Sequence, residues 1–194
     1  MHDRQAILRA ARPGAAARGY ESLRFTDVAQ ASGVGVSSLQ YSFRTRDDLV
    51  TEVLRAAVRD ELERLTERAA AESDPWRRVR VLITEQIGTD DAERREAWLL
   101  WLEFWRAAVR DPSLQADYAV LAQRWRDLME ETVRRGVDQG VFTIDGAPPD
   151  VAAALVALID GVLVQVEVGD PAMSAHRGIT IAQRAAASLL GVHP

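Results

Sequence analysis

Residues 24–46, RFTDVAQASGVGVSSLQYSFRTR, predict two short helices joined by a tight turn, and no other pattern constrains the fold as strongly. Val28 occupies an apolar position of the first helix. Gly33 stands where that helix must end, because glycine readily adopts the left-handed conformation of a helix C-cap. In the second helix, Leu39 and Phe43 are the predicted inward residues. This arrangement is typical of a helix-turn-helix, whose second helix enters the major groove of DNA.

The outward face of the predicted second helix is polar. Ser37, Ser38, Gln40 and Tyr41 contribute hydroxyl, amide and phenol groups, which donate to and accept from base edges and phosphates. Glutamine in particular bonds adenine through two hydrogen bonds. The residues alone also allow an ordinary helical hairpin with a polar surface.

The surrounding sequence resembles the TetR family of bacterial repressors. The resemblance is carried by RQAILRAA from Arg4, the pair Gly19–Tyr20, and the segments DVAQASGV, LQYSF and TRDDL. In the C-terminal half, WLEFWRAAVRDPSL, LAQRWRDLMEETVRRGVDQGVF and VAAALVALIDGVLVQ resemble the regulatory domain of the branch that includes the choline-responsive repressor of the betaine pathway. The resemblance implies a three-helix DNA-binding domain at 1–46 and a helical ligand-binding and dimerisation domain at 47–194.

The family pattern also implies which residues bind double-stranded operator DNA. Thr26 falls where family members contact a phosphate or a base edge, and Arg46 falls where the family most often has a phosphate-binding lysine. Arg24 replaces the usual serine or threonine N-cap, which removes a capping bond but adds a cation near the backbone. The predicted set is Arg24, Thr26, Val36, Ser37, Ser38, Gln40, Tyr41 and Arg46. Gln40 and Ser42 depart from the common family residues, which leaves the operator sequence open, and simple solvent exposure is the alternative for any one member.

Charge is distributed unevenly along the chain. Residues 1–46 contain seven arginines against three acids, a net charge of +4, whereas the remaining residues carry a net charge of −9. All 24 basic residues are arginine. A basic end on an acidic body is expected of a protein that meets DNA with one end. The overall charge of −5 argues against indiscriminate nucleic-acid binding.

Composition excludes several other classes of protein. The 194 residues include no cysteine, so neither a disulfide framework nor a thiolate metal site is expected. The three histidines, His2, His176 and His193, lie far from the motif region, and no phosphate loop or nucleophile motif occurs. We therefore expect no enzyme activity, no cofactor and no metal. The sequence also predicts neither a membrane span nor a signal peptide, and hence a cytoplasmic protein.

Helix-period patterns dominate, and strand-like alternation is nearly absent, so the fold is predicted to be all-α. The first helix should run from Arg4 toward Arg18, with a kink or break at Pro13, because a proline inside a helix costs roughly 3 kcal/mol. A long fourth helix from Arg46 should connect the DNA-binding domain to the rest of the chain.

Tryptophans recur in the middle of the chain. Trp98, Trp101 and Trp105 are spaced by three and four residues and therefore share one helix face. We interpret them as the wall of a pocket for a small-molecule effector of cationic or aromatic chemistry. The predicted lining is Gln86, Trp98, Trp101, Leu102, Glu103, Trp105, Trp125 and Met129. Plain core packing is the alternative.

The helix that starts near Val151 is apolar on more faces than one packing contact requires. Small residues spaced by four, Ala153, Ala157 and Gly161, allow another helix to approach closely. In the family, the last two helices form a four-helix bundle with a second copy. Accordingly, the predicted dimer interface comprises Ala153, Ala157, Leu158, Gly161 and Val162, and burial inside one subunit is the alternative.

Together these patterns predict a homodimeric DNA-binding regulator of transcription, a repressor released by a small-molecule effector. A helical enzyme is a rival class, but the sequence offers no converging catalytic groups. A regulatory module that works without a ligand or through a protein partner is the second rival, since a broken first helix would weaken DNA binding.

Overall fold

The computed structural model describes residues 3–19, 21–88 and 92–192. His2, Tyr20 and His193 lie outside the described residues. Within the described residues the fold is all-α, as predicted, and contains no β-strand. The described helices are α1 (Arg4–Arg18), α2 (Phe25–Ser32), α3 (Val36–Phe43), α4 (Arg46–Ala70), α5 (Pro75–Ile87), α6 (Ala92–Ala108), α7 (Pro112–Asp138), α8 (Pro148–Glu167) and α9 (Ala175–Leu189).

The helices pack into two compact units. Unit 1 comprises Met1–Glu61 and Ala92–Leu121, and unit 2 comprises Leu62–Asp91 and Ala122–Pro194. Helices α4 and α7 contribute residues to both units. Packing units and functional domains need not coincide, so the division into 1–46 and 47–194 stays a prediction.

In unit 1, α1 packs against α2 and α6, and α2 packs against α3. The core of this unit contains Ile7, Leu8, Val28, Leu39, Phe43, Leu49 and Val53. In unit 2, α8 and α9 pack on each other and both pack on α5. Leu82, Ile83, Leu155, Ile159 and Ala182 are buried there.

The predicted break of the first helix at Pro13 is not found, since α1 continues from Arg4 to Arg18. Pro13 is exposed, so water can bond the carbonyl that its missing N–H leaves without a partner. Burial of Ala11 and Ala15 on either side stabilises the helix against the cost of the proline. An ion pair between Arg12 and Asp60 also connects α1 to α4.

Short-range capping explains several helix starts. Thr45 and Asp48 bond reciprocally before α4: the Thr45 N–H donates to the Asp48 carboxylate at 3.2 Å, and the Asp48 N–H donates to Thr45 Oγ1 at 3.0 Å. Asp74 accepts from the Arg77 N–H at 2.7 Å at the start of α5. Such bonds satisfy backbone donors that the helix leaves open.

Candidate DNA-binding and effector-binding sites

The turn between α2 and α3 has the geometry that its sequence predicts. Gly33 has φ 70° and ψ 10°, the left-handed conformation that glycine adopts without strain, and its N–H donates to the Ala29 carbonyl at 3.0 Å. Ser32 Oγ bonds the Val28 carbonyl at 2.7 Å and accepts from the Val34 N–H at 3.3 Å. These bonds cap the end of α2 and fix the start of the turn that leads to α3.

Helix α3 divides its residues between an inner and an outer face. Leu39 and Phe43 are buried, as predicted. Ser37, Gln40 and Tyr41 are exposed, and the Tyr41 side chain is 92% exposed. Val36 and Ser38 are half-buried, at the edge of the outer face. The exposed groups are hydrogen-bond donors and acceptors, which is what a helix in a major groove presents to base edges.

At the start of α2, Asp27 supplies the cap that Arg24 cannot. The Arg24 N–H donates to the Asp27 carboxylate at 2.8 Å, and Arg24 Nη1 donates to the Glu21 carbonyl at 2.7 Å. An ion pair and hydrogen bond with Arg18 lower the pKa of the Asp27 carboxyl below its usual value. Thr26 is exposed beside this cap. The Arg24 side chain therefore braces the loop before α2 instead of capping the helix.

Arg46 has structural partners in addition to its predicted phosphate contact. Its Nε donates to the Leu23 carbonyl at 2.9 Å, and Nη1 donates to Asp47 at 2.6 Å. Leu23 lies before α2, so Arg46 ties the start of α4 to the start of α2. Its side chain is 21% exposed, and Nη2 of the guanidinium is buried.

Arg4 of α1 orients the recognition helix α3. Its guanidinium lies 4.2 Å from the centroid of the Phe43 ring, and Nη1 donates to the Ser42 carbonyl at 2.9 Å. The same group pairs with Glu52 of α4 at 2.5 Å. A cation at the last carbonyls of a helix is favoured by the helix dipole. One side chain thus joins α1, α3 and α4.

Sequence reasoning missed Arg44 as a candidate DNA contact. It follows the last turn of α3 at φ 37°, an uncommon conformation for a non-glycine residue, and it is exposed. The described residues offer it no hydrogen bond or ion pair, so its charge is available to a phosphate. The signal in the sequence is the second arginine of Arg44-Thr45-Arg46, next to the position that matches the family lysine.

The tryptophans of α6 contact one another, as their spacing predicts. Trp98 and Trp105 meet edge to face with ring centroids 5.5 Å apart, and Trp101 lies 6.1 Å from Trp105. Trp101 also meets Phe104 edge to face at 6.0 Å. Trp98 is buried, and Trp101 and Trp105 are half-buried. The indole N–H groups of Trp98 and Trp105 are buried without a hydrogen-bond acceptor among the described atoms.

The other predicted pocket residues are distributed over both units. Leu102 is 36% exposed, at the surface of α6, and Glu103 is half-buried. Gln86 of α5 is half-buried, and Trp125 and Met129 of α7 are buried in unit 2. Because the α6 residues belong to unit 1, a single pocket lined by both sets stays a prediction.

One ion pair joins α6 to the loop between α1 and α2, and sequence reasoning did not find it. Arg106 Nη1 donates to Glu21 at 3.0 Å, and Nη2 donates to Glu103 at 3.2 Å. The hydrogen bond and the positive charge of Arg106 lower the pKa of the Glu21 carboxyl. Glu103 also approaches Gly19, so closely that a Cβ at Gly19 would lie 3.3 Å from its carboxylate. The C-terminal half of α6 therefore touches the end of α1.

Helix α8 exposes the predicted small-residue stripe. Ala153, Ala157 and Gly161 are exposed, and a Cβ added at Gly161 would meet no atom within 4 Å. Leu158 is half-buried. Val162 departs from the predicted interface, because it is 5% exposed and packs inside unit 2 against Gly178 of α9. The helical period turns Val162 away from Ala157, so the two residues lie on different faces of α8.

Two further features of α8 concern its polarity. By length and composition alone this helix could span a membrane, with a mean hydropathy of 1.8, although the core helix of a soluble protein meets the same criterion. Asp160 lies next to Gly161 on this helix, and burial raises the pKa of its carboxyl to about 6. The exposed face of α8 is mostly apolar, and the exposed Gln165 follows Ala153, Ala157 and Gly161 at the same spacing.

These observations define a class: an all-α helix-turn-helix protein with a second, helical unit. The chain belongs to the TetR family of bacterial transcriptional regulators. Residues 7–53 match the family model described as bacterial regulatory proteins of the tetR family, and residues 75–191 match the C-terminal domain of BetI-type transcriptional repressors. The predicted family and branch are confirmed.

Solved structures of similar fold are numerous. A transcriptional regulator from Saccharomonospora viridis, solved in complex with choline, is 29% identical over 93% of each chain, with a TM-score of 0.83. A TetR-family regulator from a Rhodococcus species is 23% identical, with a TM-score of 0.81 over 96% of this chain and 97% of that one. Reduced NemR from Escherichia coli is 16% identical, with a TM-score of 0.80 over 98% and 99% of the two chains. Comparison with curated proteins gives no significant match.

Proposed function

We propose that this protein is a homodimeric repressor that binds a two-fold symmetric operator and releases it when a small quaternary ammonium compound binds beside α6. The observation that carries the proposal is the pairing of an exposed polar α3 with a tryptophan helix that touches the end of α1. Such a regulator acts where the chromosome is, in the cytoplasm.

DNA binding is supported by the composition of the outer face around α3. Ser37, Gln40 and Tyr41 are free to reach base edges, while Arg44 and Arg46 lie at its C-terminal end, where phosphates would flank the groove. Base contacts supply specificity, and the arginine–phosphate contacts supply salt-dependent affinity. In this proposal Gln40 recognises the base sequence, and the arginines position the protein on the DNA backbone.

Dimerisation is supported by the exposed face of α8. Ala153, Ala157 and Gly161 give a shallow strip on which a second helix can pack closely, and Val164 and Val168 extend the apolar surface. A two-fold dimer would place two copies of α3 on successive major grooves, about 34–36 Å apart. Homodimerisation is typical of the family.

The effector chemistry is supported by the rings of α6. Faces of tryptophan attract a cation, and quaternary ammonium groups are bound in aromatic cages. The unpaired indole N–H groups of Trp98 and Trp105 favour a ligand that also carries an acceptor oxygen, because a buried donor without a partner is costly. Choline combines both features, and the regulator from Saccharomonospora viridis was solved with choline.

The effector would act through the contact between α6 and the loop after α1. A ligand that binds one arrangement of α6 more tightly than the other shifts the population of the two arrangements. Arg106 would carry this shift to Glu21, and hence to the position of α2 and α3. The rival interpretation, a regulatory module with weakened DNA binding, was based on a broken first helix. Because α1 is continuous, the structure does not support that argument.

The direct test uses the DNA that flanks the gene. Fluorescence anisotropy of a labelled fragment should show nanomolar binding that choline reverses. The control compound is 3,3-dimethyl-1-butanol, which has the shape of choline without its charge and should not release the DNA. Failure to bind any flanking fragment would overturn the repressor assignment. Equal release by both compounds would overturn the cationic effector.

A further inference from the structure

Unit 2 contains a groove between α5 and α9 that is separate from the tryptophans of α6. We call it the α5–α9 groove; its volume is about 560 Å³, and Trp76, Arg80, Thr180, Gln183, Arg184 and Ser188 are among the residues that line it. This volume lies in the range of sites that hold small organic molecules. The half-buried Trp76 ring and Ala187 supply an apolar surface.

The charged side chains that line the α5–α9 groove are all positive. Arg80 and Arg184 are exposed, and neither side chain forms a hydrogen bond or an ion pair with any described residue. No aspartate or glutamate is among the described residues that line the groove. Two arginines without a bonded carboxylate are unexpected here, because residues 47–194 carry a net charge of −9. The groove is therefore complementary to an anion.

An adjoining cleft shows the opposite arrangement and serves as an internal comparison. It has a volume of about 310 Å³ and shares Arg80 and Gln183 with the groove, but it also contains Glu72 and Glu85. Glu85 is buried and accepts from Arg68 at 3.1 Å and also from Arg64. In this cleft the protein supplies its own carboxylates, so an external anion is favoured only on the Trp76 side.

We propose that the α5–α9 groove binds a small organic carboxylate with a flat apolar body. The body would lie against Trp76, and the carboxylate would accept hydrogen bonds from Arg80 and Arg184, whose planar guanidinium groups suit the geometry of a carboxylate. Thr180, Gln183 and Ser188 offer further polar contacts at the rim. The site is independent of the quaternary ammonium site, because it uses other residues and the opposite ligand charge.

The five tryptophans allow a test that locates the ligand. In ¹⁵N-labelled protein each indole N–H gives its own resonance, and a Trp76→Phe variant identifies that of Trp76. Benzoate, the probe, should shift the Trp76 resonance in a saturable way and leave those of Trp98, Trp101 and Trp105 in place. Benzamide, its neutral isostere, should bind at least about tenfold more weakly. No shift at Trp76, or equal binding of benzamide, would overturn the proposal.

A matched set of variants tests the two cations. The double variant Arg80→Gln/Arg184→Gln should lose about tenfold or more in benzoate affinity. Arg77→Gln removes an exposed arginine of α5 that lines the adjoining cleft only, and it should bind benzoate as the unaltered protein does. Equal losses in both proteins would mean that benzoate responds to net charge rather than to the groove. Benzoate binding tests the groove alone, and it does not depend on DNA binding or on choline.

Discussion

Arg106, in the last turn of the tryptophan helix α6, donates a hydrogen bond of 3.0 Å to Glu21, in the loop that leads into α2. These residues are 85 positions apart in sequence, and both belong to unit 1. Arg106 also holds Glu103 of its own helix. The effector-binding helix that we propose is thus bonded directly to the segment that precedes the helix-turn-helix.

We expect Arg106→Gln to weaken the effector response without much effect on stability. The pair is exposed, with the Glu21 side chain 75% accessible, so solvent screens it and its loss should change the free energy of unfolding little. Operator affinity without ligand should stay near that of the unaltered protein, while more choline should be needed for release. Arg110→Gln, just beyond the end of α6, is the control, because Arg110 acts on Glu21 by its charge and makes no hydrogen bond to it. An unchanged choline response in Arg106→Gln would exclude this contact from the coupling.

Alanine substitutions at Arg44 and Arg46 should distinguish a residue that only contacts DNA from one that also stabilises the fold. Arg44→Ala should weaken operator binding at low salt and reduce the slope of log affinity against log salt by about one phosphate contact, with little loss of stability. Arg46→Ala should reduce the slope similarly and also lower the melting temperature, because the Leu23 carbonyl loses its donor. Binding measured at several salt concentrations, with thermal unfolding in parallel, checks both. A salt slope that neither substitution alters would remove phosphate contacts from both residues.

Features that depend on residues close together in the sequence were predicted correctly, whereas features that depend on distant residues were not. The Gly33 cap and the inward Leu39 and Phe43 were predicted because they depend on neighbours within one or two turns. The continuous α1 was not, since Pro13 is tolerated through its exposure, the packing of α1 on α2 and α6, and the distant ion pair of Arg12 with Asp60. The Arg46 bond to Leu23 and the Arg106 bond to Glu21 join distant positions, and one sequence carries no sign of such pairs.

The α8 helix shows a different limit of sequence reasoning. Its period identified an apolar helix, and the period alone does not say which face packs inside the subunit and which faces outward. The structure places Val162 inside and Gly161 outside. The predicted interface therefore reduces to the exposed strip of Ala153, Ala157 and Gly161 with the half-buried Leu158.

Gly161→Arg tests that strip. In the single chain the substitution meets no neighbouring atom, and replacing a glycine inside a helix favours the helix by up to about 1 kcal/mol. In the proposed dimer it would place a large cation in a close helix contact. Sedimentation velocity should show a folded monomer with greatly weakened operator binding, whereas Gly161→Ala should remain dimeric. A dimeric Gly161→Arg protein with intact DNA affinity would place the interface elsewhere.

Asp160 should make stability depend on pH. Its pKa in the folded protein, about 6, lies above the ordinary value of 3.8, so the folded state binds more protons between these values. The free energy of unfolding should therefore fall as the pH rises from about 4 to 6, by up to about 3 kcal/mol from this group. Asp160→Asn should raise the melting temperature at pH 7.5 and leave it nearly unchanged at pH 4, at one protein concentration. A gain of equal size at both pH values would contradict this origin.

Trp101→Ala in the operator complex tests the central claim, that an effector bound at α6 controls DNA binding. Anisotropy of labelled operator, titrated with choline, should show that the folded variant binds DNA normally but needs at least about tenfold more choline for release, since one aromatic face is gone. Circular dichroism establishes that the variant is folded. If the tryptophans only fill the core, the same change should cost roughly 3–5 kcal/mol of stability and impair DNA binding and choline response together. That joint loss, or a folded variant released by choline as readily as the unaltered protein, would contradict the account.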